Sequence, residues 1–371
     1  MRATVERSHL LKSLNHVHRV VECRNTIPIL SNVLVRADGD RLTLKATDLD
    51  LEVTETVPAE IGQAGATTVP AHILYDIVRK LPDGAEVSLD TGDSSQLTVK
   101  AGRSRFALQV LPEADFPDLT AGDLPTRFHL KASDPRKLID RTQFAISTEE
   151  TRYYLNGIYL HVVTVGDVPM LRAVATDGHR LAQAQLEAPD GTKGMAGVIV
   201  PRKTVGEIQK LVDDPEAEVA VELSDTKIRV TFGSVVLTSK LIDGTFPDYG
   251  RVIPQGNDKV LKVDKAEFAS AVDRVSTVSS ERGRAVKIAI SEGRMVLSVN
   301  NPDSGSATEE VGADYANDPL EIGFNSKYLL DVTGQLETGT AEFRFADPGS
   351  PTLIQDDASK DALYVLMPMR V

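Results

Sequence analysis

The stretch Thr176-Asp177-Gly178-His179-Arg180-Leu181 carries the residue types best suited to chemistry. A carboxylate and an imidazole two positions apart, with a guanidinium beside them, could form a general base with its orienting acid. Acyl transfer would also need a nucleophile, and the sequence places no Ser or Cys nearby. Asp-Gly is moreover an ordinary turn signal between strands, so a turn that shapes a binding surface is the better reading of 176–181. A hydrolase centred on Asp177 and His179 stays as the alternative. His9, His16 and His18 share one predicted helix, but their spacing does not make a metal pair. No phosphate-binding glycine loop, H-E-x-x-H, G-x-S-x-G or paired cysteine occurs in the chain. Neither a metal nor a cofactor is expected.

The elements that must position this stretch follow a threefold repeat. In 200–223, Val205, Ile208 and Val212 form one apolar helix face, Asp213-Asp214-Pro215 breaks it, and Val219, Val221 and Leu223 alternate as a strand. The same unit recurs at 69–89, with Leu74, Ile77 and Leu81 before Val87 and Leu89. It recurs again at 324–345, with Leu329, Val332 and Leu336 before Ala341, Phe343 and Phe345. Asp76, Glu207 and Asp331 fall on the same step of the three helices. A second amphipathic helix lies upstream in each copy, and alternating strands lie between, among them Arg41–Ala46 and 49–53. Two segments ending in Phe-Pro-Asp lead into linkers rich in Pro, Gly and Asp at 115–125 and 246–258. The expected fold is α+β: three tandem repeats at 1–124, 125–257 and 258–371, each with two helices on antiparallel sheets of about eight strands. If the repeats join head to tail and close on a second chain, the product is a ring.

Composition narrows the function classes. With 371 residues the chain exceeds what one core usually organises, and three units suit ordinary domain size. A single cysteine, Cys23, excludes an internal disulfide and favours a reducing compartment, and no apolar run is long enough to span a membrane. The net charge is −13, yet the six predicted helical stretches (7–24, 71–81, 134–147, 202–212, 264–278 and 326–336) carry +6, leaving −19 for the remainder. That split is expected of helices turned toward a polyanion on an otherwise acidic body. It argues against a plain scaffold of repeats, as does Tyr364–Val371, apolar to its last residue and rich in the adaptable Met side chain.

Several strings carry a family resemblance: VERSHLLKSL, TIPIL, GRSRF, FPDL, FPDY, RYYLNG, ATDGHRLA, VPRK, TSKL, the IGFN-x-x-Y-LLDV pattern and YVLMPMRV. Together they resemble the bacterial DNA polymerase III beta sliding clamps along the whole chain. The resemblance implies three DNA-clamp domains and a head-to-tail homodimer, a six-domain ring around double-stranded DNA. It implies no catalysis and no cofactor, a cytoplasmic setting, and an ATP-dependent clamp loader that opens the ring. The ring then tethers the catalytic subunit of DNA polymerase III, and it also docks other polymerases and repair proteins.

The resemblance further implies a pocket for short linear motifs of the Gln-Leu-x-Leu-Phe kind. It carries over to Leu155, Thr176, Gly178, His179, Arg180, Leu181, Pro247, Arg251, Val252, Val365, Met367, Pro368, Met369 and Arg370. Gly283 and Pro351 stand where some members place bulkier or polar residues at the margin. DNA contacts carry over to Arg24, Tyr153, Tyr154, Arg202 and Lys203, whereas acidic Glu149 receives no role. Phe106 and Leu108 resemble one side of the dimer seam, with Thr277 and Val278 of a second copy as their partners.

Overall fold

The computed structural model describes residues 1–22, 25–92, 95–279 and 284–371. Six α-helices occur among them: α1 Arg7–Val17, α2 Ala71–Lys80, α3 Ser133–Thr142, α4 Arg202–Leu211, α5 Lys265–Ser276 and α6 Ser326–Thr333. Each buries the apolar stripe that its sequence spacing gives it. Leu10, Leu14 and Val17 of α1 are fully buried, as are Leu74 and Val78 of α2, Phe268 and Val272 of α5, and Leu329 and Val332 of α6. Two starts are fixed by side-chain caps. The Asp264 carboxylate accepts from the Glu267 N–H at 2.8 Å, and the Asn325 side-chain oxygen accepts from the Lys327 N–H at 3.0 Å.

All six helices end before the limits expected from the sequence, and two stop well short of them. The first, expected over 7–24, ends at Val17 and continues as the 3-10 turn His18–Val20. There the His18 N–H still closes the last helical bond to the Leu14 carbonyl, and the His18 ring joins the same oxygen at 2.7 Å. The third, expected to reach 147, ends at Thr142, whose hydroxyl donates back to the Leu138 carbonyl at 2.6 Å. Leu49 was expected within a strand; instead it sits in a turn with φ +80°, and the strand begins at Leu51. The Asp48 carboxylate makes that turn by accepting the Asp50 and Leu51 N–H groups.

Contacts divide the chain into two compact units, Met1–Arg136 with Pro189–Ala196 and Lys203–Leu241, and Lys137–Ala188 with Gly197–Arg202 and Ile242–Val371. The first unit holds two sheets. One runs Glu60–Gln63, Arg2–Glu6, Glu86–Asp90, Gln96–Ala101, Ser104–Gln109. The other runs Thr126–Lys131, Glu218–Leu223, Lys227–Phe232, Val235–Lys240, Leu51–Pro58, Arg41–Thr47, Asn32–Asp38, Gly65–Pro70. This eight-stranded sheet joins strands of the first two sequence repeats, with Val235 to Ser239 paired antiparallel to Glu55 to Leu51.

The second unit is built the same way. Its four-stranded sheet runs Gly305–Gly312, Arg294–Asn301, Ala285–Ser291, Leu320–Asn325. Its nine-stranded sheet runs Val198–Pro201, Gly157–Val165, Val168–Thr176, Arg180–Glu187, Ala362–Leu366, Thr352–Asp356, Thr340–Phe345, Lys259–Asp264, Asp314–Tyr315. Here strands of the second and third repeats join where Arg180 to Ala184 pair with Leu366 to Ala362. No helix among the described residues is long and apolar enough to cross a membrane.

Candidate functional site

The splice in the second unit brings distant candidate residues together. Leu181 lies opposite Val365 in the strand pair, and both join Leu155, Val174, Ile199 and Phe246 in one buried cluster. Two large apolar side chains on segments adjoining this cluster are left open to solvent: Val252, next to Ile253, which packs on the cluster, at 50% exposure, and Met367, two residues past Val365, at 42%. Apolar area that neither folds inward nor is capped by polar groups marks a surface built to receive something. Pro247 and Arg251 are exposed on the same loop as Val252, and Arg251 pairs with Asp248 of that loop at 2.8 Å.

The turn after the strand Val168–Thr176 is held by its own side chains. The Asp177 carboxylate accepts from the N–H groups of His179 (2.9 Å) and Arg180 (3.1 Å), and the Thr176 hydroxyl donates to the Arg180 carbonyl at 2.7 Å. Gly178 has φ +89°, a conformation that favours glycine, and a Cβ there would meet the end of the Arg152 side chain. Arg152 is in turn anchored on Glu149, whose carboxyl it holds below the usual range, and on the Asp177 carbonyl.

These contacts remove the hydrolase alternative. Asp177 spends its oxygens on backbone N–H groups and on the Arg180 guanidinium at 3.1 Å, and its carboxylate makes no bond to the His179 ring among the described contacts. An acid that does not orient the imidazole cannot serve the pair as expected.

Arg180 faces away from the apolar cluster. Its guanidinium bonds Asp177, Asp331 of α6 (2.6 Å) and the Phe144 carbonyl (2.6 Å), and lies over the Tyr328 ring at 4.1 Å. It thus tethers the turn to α6 and borders an open polar groove of about 740 Å³, shared with Glu149, His179, Arg202 and Lys327. Asp76 and Glu207, on the matching helical step, pair locally with Arg79 and Lys210.

A second anchor lies under the loop. Tyr249 accepts a hydrogen bond from Arg172 (3.1 Å), which leaves its own O–H to donate to His161 Nε2 at 2.8 Å. That requires a neutral imidazole, and burial, reinforced by the charge of Arg172, pushes the His161 pKa down to about 4. Rings of His161, Tyr159 and Phe246 stack in sequence at 4.3 and 4.9 Å. Tyr249 and its mooring were not foreseen; the aromatic in the Phe-Pro-Asp-Tyr string was the available signal.

The remaining candidates are placed as follows. Tyr153 is 54% exposed and meets Tyr154 edge-on at 5.7 Å. Arg202 is exposed at the start of α4. Lys203 is committed to the Asp48 carboxylate, the Val20 carbonyl and Glu22. Phe106 and Leu108 are half-buried on Ser104–Gln109, an outer strand of its sheet. Thr277 is exposed just past α5, and the Val278 carbonyl accepts from Asn301 at 3.0 Å. The Pro351 carbonyl accepts from the Asn257 amide. Cys23, Arg24 and Gly283 lie outside the described residues.

A chain of three sheet-and-helix repeats, with exposed apolar side chains near the splice of the second repeat to the third, has the build of a docking platform. Comparison with known proteins says which one. Residues 1–120, 129–248 and 250–370 match the N-terminal, central and C-terminal domains of the DNA polymerase III beta subunit. The beta sliding clamp of Caulobacter vibrioides is 55% identical over the full length of both chains, and that of Escherichia coli K12 is 39% identical over the same extent. A solved structure of a sliding clamp from Bartonella birtlesii bound to griselimycin superposes with a TM-score of 0.98 at 59% identity, covering all of both chains. The chain belongs to the DNA polymerase III beta subunit family, and its role is that of a DNA sliding clamp.

Proposed function

We propose that two copies close head to tail into a ring around duplex DNA and that a cleft where the second repeat is spliced to the third docks short linear peptides of replication and repair proteins. The polymerase III catalytic subunit, the clamp loader, other polymerases and repair proteins would be held by this one cleft. Repeats at 1–124, 125–257 and 258–371 would supply the six domains. The observation that carries the docking reading is that Val252 and Met367 stay open to solvent on segments that adjoin the buried cluster of Leu155, Leu181 and Val365. Apolar anchors contribute about 1.5–3 kcal/mol each on burial, enough for a five- or six-residue peptide to reach about micromolar affinity.

Gly178, His179, Pro247, Arg251, Pro368, Met369 and Arg370 would rim the cleft, with Thr176 and Arg180 holding its turn in shape. The action is one of tethering, without turnover or cofactor, in the cytoplasm. Arg24, Tyr153, Tyr154, Arg202 and Lys203 would touch DNA lightly, which suits sliding, since phosphate contacts position without reading sequence. The seam would pair Ser104–Gln109 with Gly305–Gly312, each an outer strand of its sheet. Phe106 and Leu108 on one side would meet Thr277 and Val278 on the other. Removing residues 367–371 should abolish calorimetric binding of a Gln-Leu-x-Leu-Phe peptide and polymerase stimulation while the dimer persists. Undiminished peptide affinity in that variant would place docking elsewhere.

A further inference from the structure

Gly323 lies in Leu320–Asn325, an outer strand of the four-stranded sheet whose ladder partner at this position is Lys287. It is not among the glycines with positive φ, so backbone conformation does not call for glycine there. Space does. A Cβ on Gly323 would stand 2.7 Å from the Met369 carbonyl oxygen and 2.3 and 2.8 Å from the two γ-carbons of Val371, closer than real Cβ atoms come. An isolated glycine inside a strand often marks a close approach by other chain.

The approaching chain is held by backbone bonds at two points. Met369 donates its N–H to the Gly323 carbonyl at 2.8 Å, forming a single antiparallel bridge on the strand's open edge. Two residues earlier, the Met367 N–H donates to the His179 carbonyl at 2.9 Å. The segment is strung between the 176–180 turn and the Gly323 notch, and these two bonds fix the backbone on either side of Pro368.

We propose that Gly323 is a positioning residue of the docking cleft: its missing side chain is the seat of the 367–371 segment, and that seat sets the cleft's affinity for an apolar peptide. This rests on the docking reading above. Even one methyl group fills the notch, because the Met369 oxygen belongs to the backbone and no side-chain rotation can move it aside. The strand itself tolerates alanine: its conformation is ordinary, and Ile322 and Phe324 stay buried on either side.

The test is Gly323→Ala in the full chain, titrated by calorimetry with a Gln-Leu-x-Leu-Phe peptide and followed by ¹³C-methyl methionine spectra. Affinity should fall at least tenfold. The Met367 and Met369 resonances should move, those of Met170, Met195 and Met295 should stay, and dimer mass should not change. A second variant approaches the notch from the other side. Val371→Gly should weaken binding in the native background but improve it in the G323A background, the reversal of sign expected of two groups contesting one space.

Unchanged peptide affinity in G323A, or an effect of V371G with the same sign in both backgrounds, overturns the proposal. Should the native chain fail to bind the peptide at all, the docking reading falls. The methionine spectra of G323A would still report whether the seat exists.

Discussion

At the scale of single residues, two buried groups set how the cleft responds to perturbation. His161 is 9% exposed, and its pKa is lowered from 6.5 to about 4 by burial and then by Arg172. The unfolded chain therefore binds a proton between about pH 6.5 and 4 that the folded protein refuses, so stability rises with pH through that window and falls as pH drops. The lost stability should approach about 3 kcal/mol by pH 4, read from urea unfolding across pH, and His161→Gln should flatten that part of the profile. Arg180 acts differently. Arg180→Met leaves Asp177 and Asp331 without their guanidinium and should cost about 2–3 kcal/mol, less than for a fully buried pair because both carboxylates keep some water. Denaturant midpoints would measure this, and an unchanged midpoint would deny the tether. Leu155, Leu181 and Val365 were legible in the sequence through the strings that hold them. The inward role of Arg180, the mooring of Tyr249 and the notch at Gly323 were not. Each depends on which face a side chain turns or on how closely two backbones pass, and no local pattern encodes either.

At the scale of elements, the outer strands Ser104–Gln109 and Gly305–Gly312 each present an unpaired backbone edge, which exposed edges offer to another chain. Leu108 is half-buried on the first of these. Leu108→Glu should convert dimers to monomers in sedimentation while leaving the peptide cleft competent, since a charge placed in an apolar seam is left unpaired. A variant that stays dimeric would move the seam elsewhere. The helices were legible because apolar residues recur every three or four positions in all six. Their ends were less so. His18 and Thr142 stand at the ends of α1 and α3 with side chains bonded back to the Leu14 and Leu138 carbonyls, and the apolar period runs on past both. The turn at Leu49 was hidden for a related reason, since an apolar residue in phase with a strand was carrying a positive φ.

At the scale of the whole molecule, charge decides how DNA is held. A net charge of −13 and a Lys203 already spent on Asp48 leave few cations for phosphates. The dimer should therefore bind linear duplex weakly and lose it as salt rises, yet persist on circular DNA once loaded, because topology rather than affinity retains it. Replacing Arg202 and Lys203 with Ala should reduce loading without altering dimer mass in sedimentation. Tight, salt-resistant binding to linear duplex would contradict encirclement. The threefold repeat was visible in the spacing of 69–89, 200–223 and 324–345. The sharing of sheets between repeats was not, since Leu237 meets Val53 and Leu181 meets Val365 across intervals for which sequence has no period.

The shared sheets have a mechanical consequence. Where the first repeat meets the second, and the second the third, the joint is a ladder of backbone hydrogen bonds five residue pairs long, continuous with the strands on either side. Load applied along the protein is carried through these joints as through spliced planks, and they yield only when a sheet itself comes apart. A seam between copies has no such covalent continuity behind it. In the proposed ring the seams between copies are the joints that can part without breaking into either chain's own sheets, and the gate for DNA is expected at one of them.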